Sequence, residues 1–254
     1  MGSFIREKKT YYGDYMDAAI YQMETGRGKG PRGKKEKKSS RKQKNLNDKN
    51  AKNYFRQILH ANFGEGDYHI VLTYSDKYLP LTPEGAEKET VNYLNRLKYH
   101  CKKQGLPQVK YLVVLERGKK TKRLHHHIIL KCQLPRDKIE ELWSKRKKGG
   151  KEKIGWINAD RLQPDEEGLN ELCSYLTKDP QGKKRWSCSH NLDKPKESKN
   201  DWKYSKRQVK EAAGLGEDRE YWEKKYPGYR LLKCKSVYNE ITGWSINLRF
   251  RKKE

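Results

Sequence analysis

The chain has 254 residues, with 59 Lys and Arg against 33 Asp and Glu, and a formal net charge of +26. Only 33% of it is hydrophobic while 36% is charged, so part of the chain is expected not to pack as core, ordinary domains being roughly 45–50% apolar with Gly counted. No apolar run of about 18 residues is present, which argues against a membrane-spanning helix. The N-terminus MGSFIREKKT lacks the apolar stretch of a secretory signal, and Arg6 stands where N-myristoylation wants Ser or Thr.

The five cysteines are scattered and never spaced as C-x-x-C. They read as reduced thiols of a cytoplasmic protein, forming neither a disulfide framework nor a zinc knuckle. So large a positive charge calls for a polyanionic partner. Nucleic acid is favoured over an anionic membrane surface, which asks for a basic helix with a wide apolar face, and none is evident.

Residues 1–25 hold five aromatics but show no clear period. Residues 26–44 carry ten basic side chains against the single Glu36, a net +9 spaced by Gly, Pro and Ser, and read as a mobile basic arm. Within it Gly28 to Lys35 imitates a phosphate loop, but Lys35 occupies the Ser/Thr position and no apolar strand precedes it, so no nucleotide site is expected. Asn47 is the expected cap of a helix running through AKNYFRQILHANF. GDYHIVLTYS (66–75) reads as a strand, and Thr82-Pro83 opens a helix that Gly105 ends. Strands follow at 109–117 and 124–132, joined by the basic turn GKKTKR. A helix is expected in LPRDKIEELWSK, a strand at 155–162, a helix at 168–178, and a closing pair of strands at YRLLKCKSV and GWSINLRF. This order predicts an α+β fold, a mostly antiparallel central sheet of about five strands with helices on one face.

The chemistry-bearing residues gather in that sheet. In a strand, His125 and His127 point to one face, about 7 Å apart along the chain, and His126 to the other. If Gly118 and Arg123 close the turn, Glu116 lies opposite His125 on the same face. Two imidazoles and a carboxylate with open positions suit one divalent ion, Mg²⁺ or Mn²⁺, and would also take Zn²⁺. In the helix 168–178, Leu169, Leu172, Cys173 and Leu176 form the buried stripe. Tyr175 lies off that stripe, with Lys178 at i+3 beside it.

The motif His125-His126-His127, with Glu116 before it and the Y-x-x-K of Tyr175 to Lys178, resembles the HUH single-strand endonucleases, and among them the rolling-circle initiators of bacterial phages, prophages and plasmids. VLTYS (71–75) resembles the first motif of that family, and the likeness spans roughly residues 46–195. His126 departs from the apolar residue usual at its position. The resemblance implies an HUH, RRM-like domain over 46–195, preceded by an N-terminal segment and basic arm (1–45) and followed by a basic extension with a hairpin (196–254).

It also implies an activity. Tyr175 would attack single-stranded origin DNA, leaving a 5′-phosphotyrosine and a free 3′-OH. The ion on Glu116, His125 and His127 would polarise the phosphate, and Lys178 would either favour the tyrosine phenolate or neutralise a phosphate oxygen. With no second Tyr one turn on, the enzyme would use a single tyrosine. The implied setting is the bacterial cytoplasm, with a host helicase as partner. The alternatives are a relaxase or single-tyrosine transposase of the same superfamily, and a non-catalytic single-strand binder. Arg117, Lys119, Lys120, Lys122 and Arg123 are the candidate DNA guides around the site. Lys184, Arg185 and Trp186 combine charge with a stacking ring.

Overall fold

The computed structural model describes residues 2–26, 41–178 and 184–253. Most of the basic arm, including the Gly28–Lys35 stretch, lies outside the described residues, as does Asp179. In chain order the elements are β1 (Ser3–Tyr12), β2 (Tyr15–Glu24), α1 (Arg41–Asn62), β3 (Tyr68–Leu72), α2 (Pro83–Lys103), β4 (Lys110–Arg117), β5 (Leu124–Lys131), α3 (Arg136–Glu141), β6 (Ser144–Lys147), β7 (Gly150–Lys153), β8 (Ile157–Arg161), α4 (Asn170–Leu176), β9 (Ser187–Cys188), β10 (Lys196–Asn200), α5 (Lys206–Gly214), α6 (Arg219–Lys225), β11 (Tyr229–Asn239) and β12 (Gly243–Lys252). They fall into two compact units. One is 51–193; the other joins residues 1–50 to 194–254.

The 51–193 unit is built on an antiparallel sheet of five strands in the order β8-β3-β5-β4-β9. The fold class is the expected one, but helices cover both faces of the sheet rather than one. Ile70, Leu72, Val113, Leu115, Ile128 and Leu130 pack with the α2 residues Tyr93, Leu94 and Leu97 and with Ile139 of α3. Leu112, Val114 and Ile129 point the other way and pack with Phe55, Ile58 and Leu59 of α1 and Cys173 and Leu176 of α4. The cause is in the sequence. YLVVL (111–115) and IIL (128–130) are continuous apolar runs, and a strand apolar on both faces must be covered on both.

Several local signals act as their chemistry requires. Thr82 caps α2, its hydroxyl accepting the Gly85 N–H, with Pro83 in the first turn. Gly105 follows the helix at φ 66°, a left-handed conformation that glycine adopts at little cost. Other boundaries differ from expectation. Asn47 lies inside α1, which begins at Arg41, and its side chain accepts from Gln43 instead of capping. The helix after Pro135 is a short one, Arg136–Glu141, and the chain then turns into the β6–β7 ribbon.

The second unit is a five-stranded antiparallel sheet, β10-β1-β2-β12-β11, carrying α5 and α6. Residues 3–24, which show no clear period in the sequence, are the β1–β2 hairpin of this sheet. Their helix-side residues Ile5, Met16, Ala18 and Ile20 join Val209, Trp222, Leu231, Ile246, Leu248 and Phe250 in one core. Glu7 is buried there, 1% exposed, accepting from Lys203 Nζ at 2.7 Å and Tyr226 Oη at 2.6 Å. A buried carboxylate costs several kcal/mol unless paired in this way, so the N-terminal strand is locked to the C-terminal segment. Residues 3–24 of the expected 1–45 segment and the strands of the 196–254 extension thus share one sheet. No described helix is long and apolar enough to cross a membrane.

Candidate metal centre and nucleophile

The β4–β5 hairpin sets the site. The Gly118 N–H donates to the Arg123 carbonyl at 2.9 Å, and Lys122, at φ 56°, donates back to the Gly118 carbonyl at 2.8 Å. This closure fixes the register so that Glu116 pairs directly with His125 and Val114 with His127. Alternation then brings Glu116, His125 and His127 to the face that α1 and α4 cover. One ligand atom from each lies within 4.8 Å of the others. Glu116 Oε2 is 3.2 Å from His127 Nε2 and 3.8 Å from His125 Nε2.

The donor set fits a divalent cation. His127 is 3% exposed, and its Nε2 is buried with no hydrogen-bond partner. The nearby Glu116 oxygen is therefore not along the N–H direction, which leaves a buried imidazole nitrogen aimed at the cluster. Burial, and then the charges that neighbouring His69, His125 and His126 could carry, push His127 down to about 3. It is therefore neutral at physiological pH, the form in which an imidazole ligates.

His126 points to the opposite face, as alternation requires, but it is not an idle residue there. It is 0% exposed and contacts Tyr74 Oη at 2.8 Å and Thr90 Oγ1 at 2.9 Å. It is a satisfied polar group in the α2-side core, kept neutral by burial.

Tyr175 reaches the site from α4. The helix is anchored by Leu169, Cys173 and Leu176, all buried, and its start is tied to α1 by the Leu169 N–H donating to His60 Nε2 at 2.9 Å. With the stripe held down, Tyr175 leaves its ring half exposed and edge-on to His127, centroids 5.3 Å apart and planes at 88°. Its hydroxyl is held above the usual tyrosine range by burial and then by the Glu116 charge. Lys178 lies just past the helix rather than on it. The helix ends at Leu176, and Lys178 follows its C-cap, exposed, with its backbone N–H donating to the Tyr175 carbonyl at 3.3 Å.

The proposed DNA guides divide. Lys119, Lys120 and Lys122 are exposed on the hairpin turn. Arg117 donates to the Lys122 carbonyl at 2.8 Å. Arg123 is engaged elsewhere, in an ion pair with Asp76 and donating to the Tyr74 carbonyl at 2.7 Å, so it pins the hairpin to the loop after β3. Lys184 and Arg185 are exposed. Trp186 is half buried against Phe55, 5.4 Å between centroids and edge-on, and near Tyr54, so much of its ring is packing rather than a free platform. Trp202 is 93% exposed.

His69 is the site residue that the sequence reading passed over. It lies on β3, two positions before Val71, the residue paired with His127. Its Nε2 is 3.1 Å from His127 Nδ1, with the two rings stacked at 17°. Only the antiparallel β3–β5 register places it there, and the HIVL run alone does not announce that pairing.

Residues 67–180 match the family model of the replication-associated protein ORF2/G2P, a family of rolling-circle replication initiators. The matched stretch contains His69, Glu116, His125, His127, Tyr175 and Lys178. Neither the curated proteins nor the solved structures yield a match. The chain is thus similar, over its site-bearing sheet, to proteins that initiate replication at a DNA origin.

Proposed function

We propose that this protein is a rolling-circle initiator of the HUH type that nicks and rejoins single-stranded origin DNA through Tyr175. The observation that carries the reading is the contact between Tyr175 and His127, one of three residues whose ligand atoms cluster within 4.8 Å. A nucleophile and a cation site share one small surface of the sheet, inside the stretch that resembles replication initiators.

The roles follow from the chemistry of the side chains. Tyr175 Oη attacks phosphorus; the Oη–P bond forms and the P–O3′ bond breaks. The products are a 5′-phosphotyrosine diester and a strand ending in a 3′-hydroxyl, once the phenol proton has gone to solvent and the leaving oxygen has taken one up. A diester replaces a diester, so the step reverses without a nucleoside triphosphate. Near pH 7 a tyrosine is only about 0.1% phenolate, and burial and Glu116 lower that fraction further at Tyr175. Glu116, His125 and His127 would hold Mg²⁺ or Mn²⁺, which would supply positive charge against Glu116 and polarise the phosphate. Lys178, exposed just past α4, is assigned to neutralise a phosphate oxygen. Lys119, Lys120 and Lys122 are assigned to guide the strand, and a helicase of the bacterial host to open the duplex.

The test is cleavage of a single-stranded origin oligonucleotide with Mg²⁺ or Mn²⁺, read on a denaturing gel. The expected products are a protein-linked fragment and a fragment with an extendable 3′ end. Cleavage without a covalent adduct would overturn the tyrosine mechanism, and binding without cleavage would leave a single-strand binder.

A further inference from the structure

We propose that His69 is the positioning residue of this centre: it accepts the Nδ1–H of His127 and so holds that imidazole in the tautomer whose Nε2 is free for a cation. The inference rests on the metal reading of Glu116, His125 and His127. A neutral imidazole has one N–H and one bare nitrogen, and only the bare nitrogen ligates. The proton of a ligating His127 must therefore sit on Nδ1. That atom is buried, and a buried N–H left without an acceptor is destabilising.

Two acceptors compete for the proton. If it sits on Nε2, the Glu116 carboxylate 3.2 Å away draws it, and that tautomer occupies two ligand atoms at once. If it sits on Nδ1, His69 Nε2 at 3.1 Å receives it, provided His69 keeps its own proton on Nδ1. The present geometry favours the second arrangement, because His127 Nε2 has no hydrogen-bond partner. His125 shows the same design in weaker form. Its Nδ1 lies 3.4 Å from the Arg123 carbonyl and its Nε2 faces Glu116. Each imidazole thus has an acceptor behind it, a carbonyl for His125 and a histidine for His127. Such outer partners fix ring orientation, and their loss typically weakens metal binding 10–100-fold.

The experiment measures Mn²⁺ affinity of the full chain from the signal of free Mn²⁺, for wild type, His69→Phe, His69→Leu and His69→Gln. Phe keeps the stacked ring but offers no acceptor, Leu guards against a Phe variant that does not fold, and Gln restores an acceptor near the lost nitrogen. The expected result is about 10–100-fold weaker binding for Phe and Leu, with Gln within a few-fold of wild type. In the metal-free protein, ¹⁵N spectra should show the His127 proton on Nδ1 in wild type and on Nε2 in the Phe variant. Wild-type affinity in both Phe and Leu, or a Gln variant as weak as they are, overturns the proposal. A wild-type chain that binds no Mn²⁺ overturns instead the metal reading beneath it, so the two failures are distinct.

Discussion

The ring of Tyr175 stands edge-on to the imidazole of His127, 5.3 Å between centroids, although the two residues belong to different elements and lie far apart in the chain. Removing the hydroxyl alone isolates its role. Tyr175→Phe is expected to abolish the covalent DNA adduct while single-strand affinity stays within a few-fold, because the ring, its packing and the surrounding charge remain. Adduct is read as a band shift that survives denaturant. An adduct in the Phe variant would assign the nucleophile to another of the 17 tyrosines.

Chelation should stop cleavage, and Mg²⁺ or Mn²⁺ should restore it. His125→Ala and His127→Ala should each form no adduct at either ion, since each removes one of three clustered ligand atoms. Full activity of either variant, with chelator still inhibiting, would move the cation site elsewhere.

His126 gives the contrasting case. It faces away from the cluster, but its contacts with Tyr74 and Thr90 are buried. His126→Ala should therefore cost stability rather than chemistry. About 2–4 kcal/mol is expected from the cavity and the lost hydrogen bonds, read as a lower urea midpoint. Cleavage per folded molecule, measured well below the melting temperature, should be retained. An unchanged midpoint with lost cleavage would reverse the two roles.

Much of the site was legible because strand alternation and a short turn are local rules. Together they predict that Glu116 faces His125 and that His126 turns away, and the register agrees. The off-stripe position of Tyr175 is a helix-periodicity argument of the same kind. What was not legible depends on long-range pairing. His69 meets His127 through the β3–β5 register, and residues 3–24 find their sheet only beside β10 and β12, over 170 residues away. Their alternation was masked by charge, since Lys8, Lys9, Glu7 and Arg6 interrupt the apolar positions. The fate of Arg123 was hidden likewise, because Asp76 lies in a loop that no pattern ties to the turn.

The turn offers a test that separates guidance from scaffolding. Replacing Lys119, Lys120 and Lys122 together by Ala should flatten the salt dependence of single-strand binding by up to about two units of log K per log salt, at about 0.7 per phosphate contact. Stability should hardly change, since all three are exposed. Arg123→Ala should do the opposite, lowering stability through the lost Asp76 and Tyr74 contacts. Equal salt slopes for wild type and the triple variant would remove the lysines from the interface.

The basic arm needs a gentler test than deletion. Removing residues 1–44 would take away β1 and β2, which supply Ile5, Glu7, Met16 and Ile20 to the second core, and any lost binding would then report unfolding. Substitution of the seven basic residues between Arg27 and Lys38 by Ser or Gln keeps the chain length and both strands. Those seven face one acid, Glu36, a local net of +6. Such a segment is expected to give phosphate contacts without sequence information. If about half of the seven reach phosphates together, the slope should flatten by roughly two units. Binding should weaken strongly at low salt and little at high salt. The nick position should not move, because Glu116, His125, His127 and Tyr175 lie in the other unit. Parallel slopes for the two proteins would mean that the arm touches no DNA, and a displaced nick would mean that it helps choose the sequence.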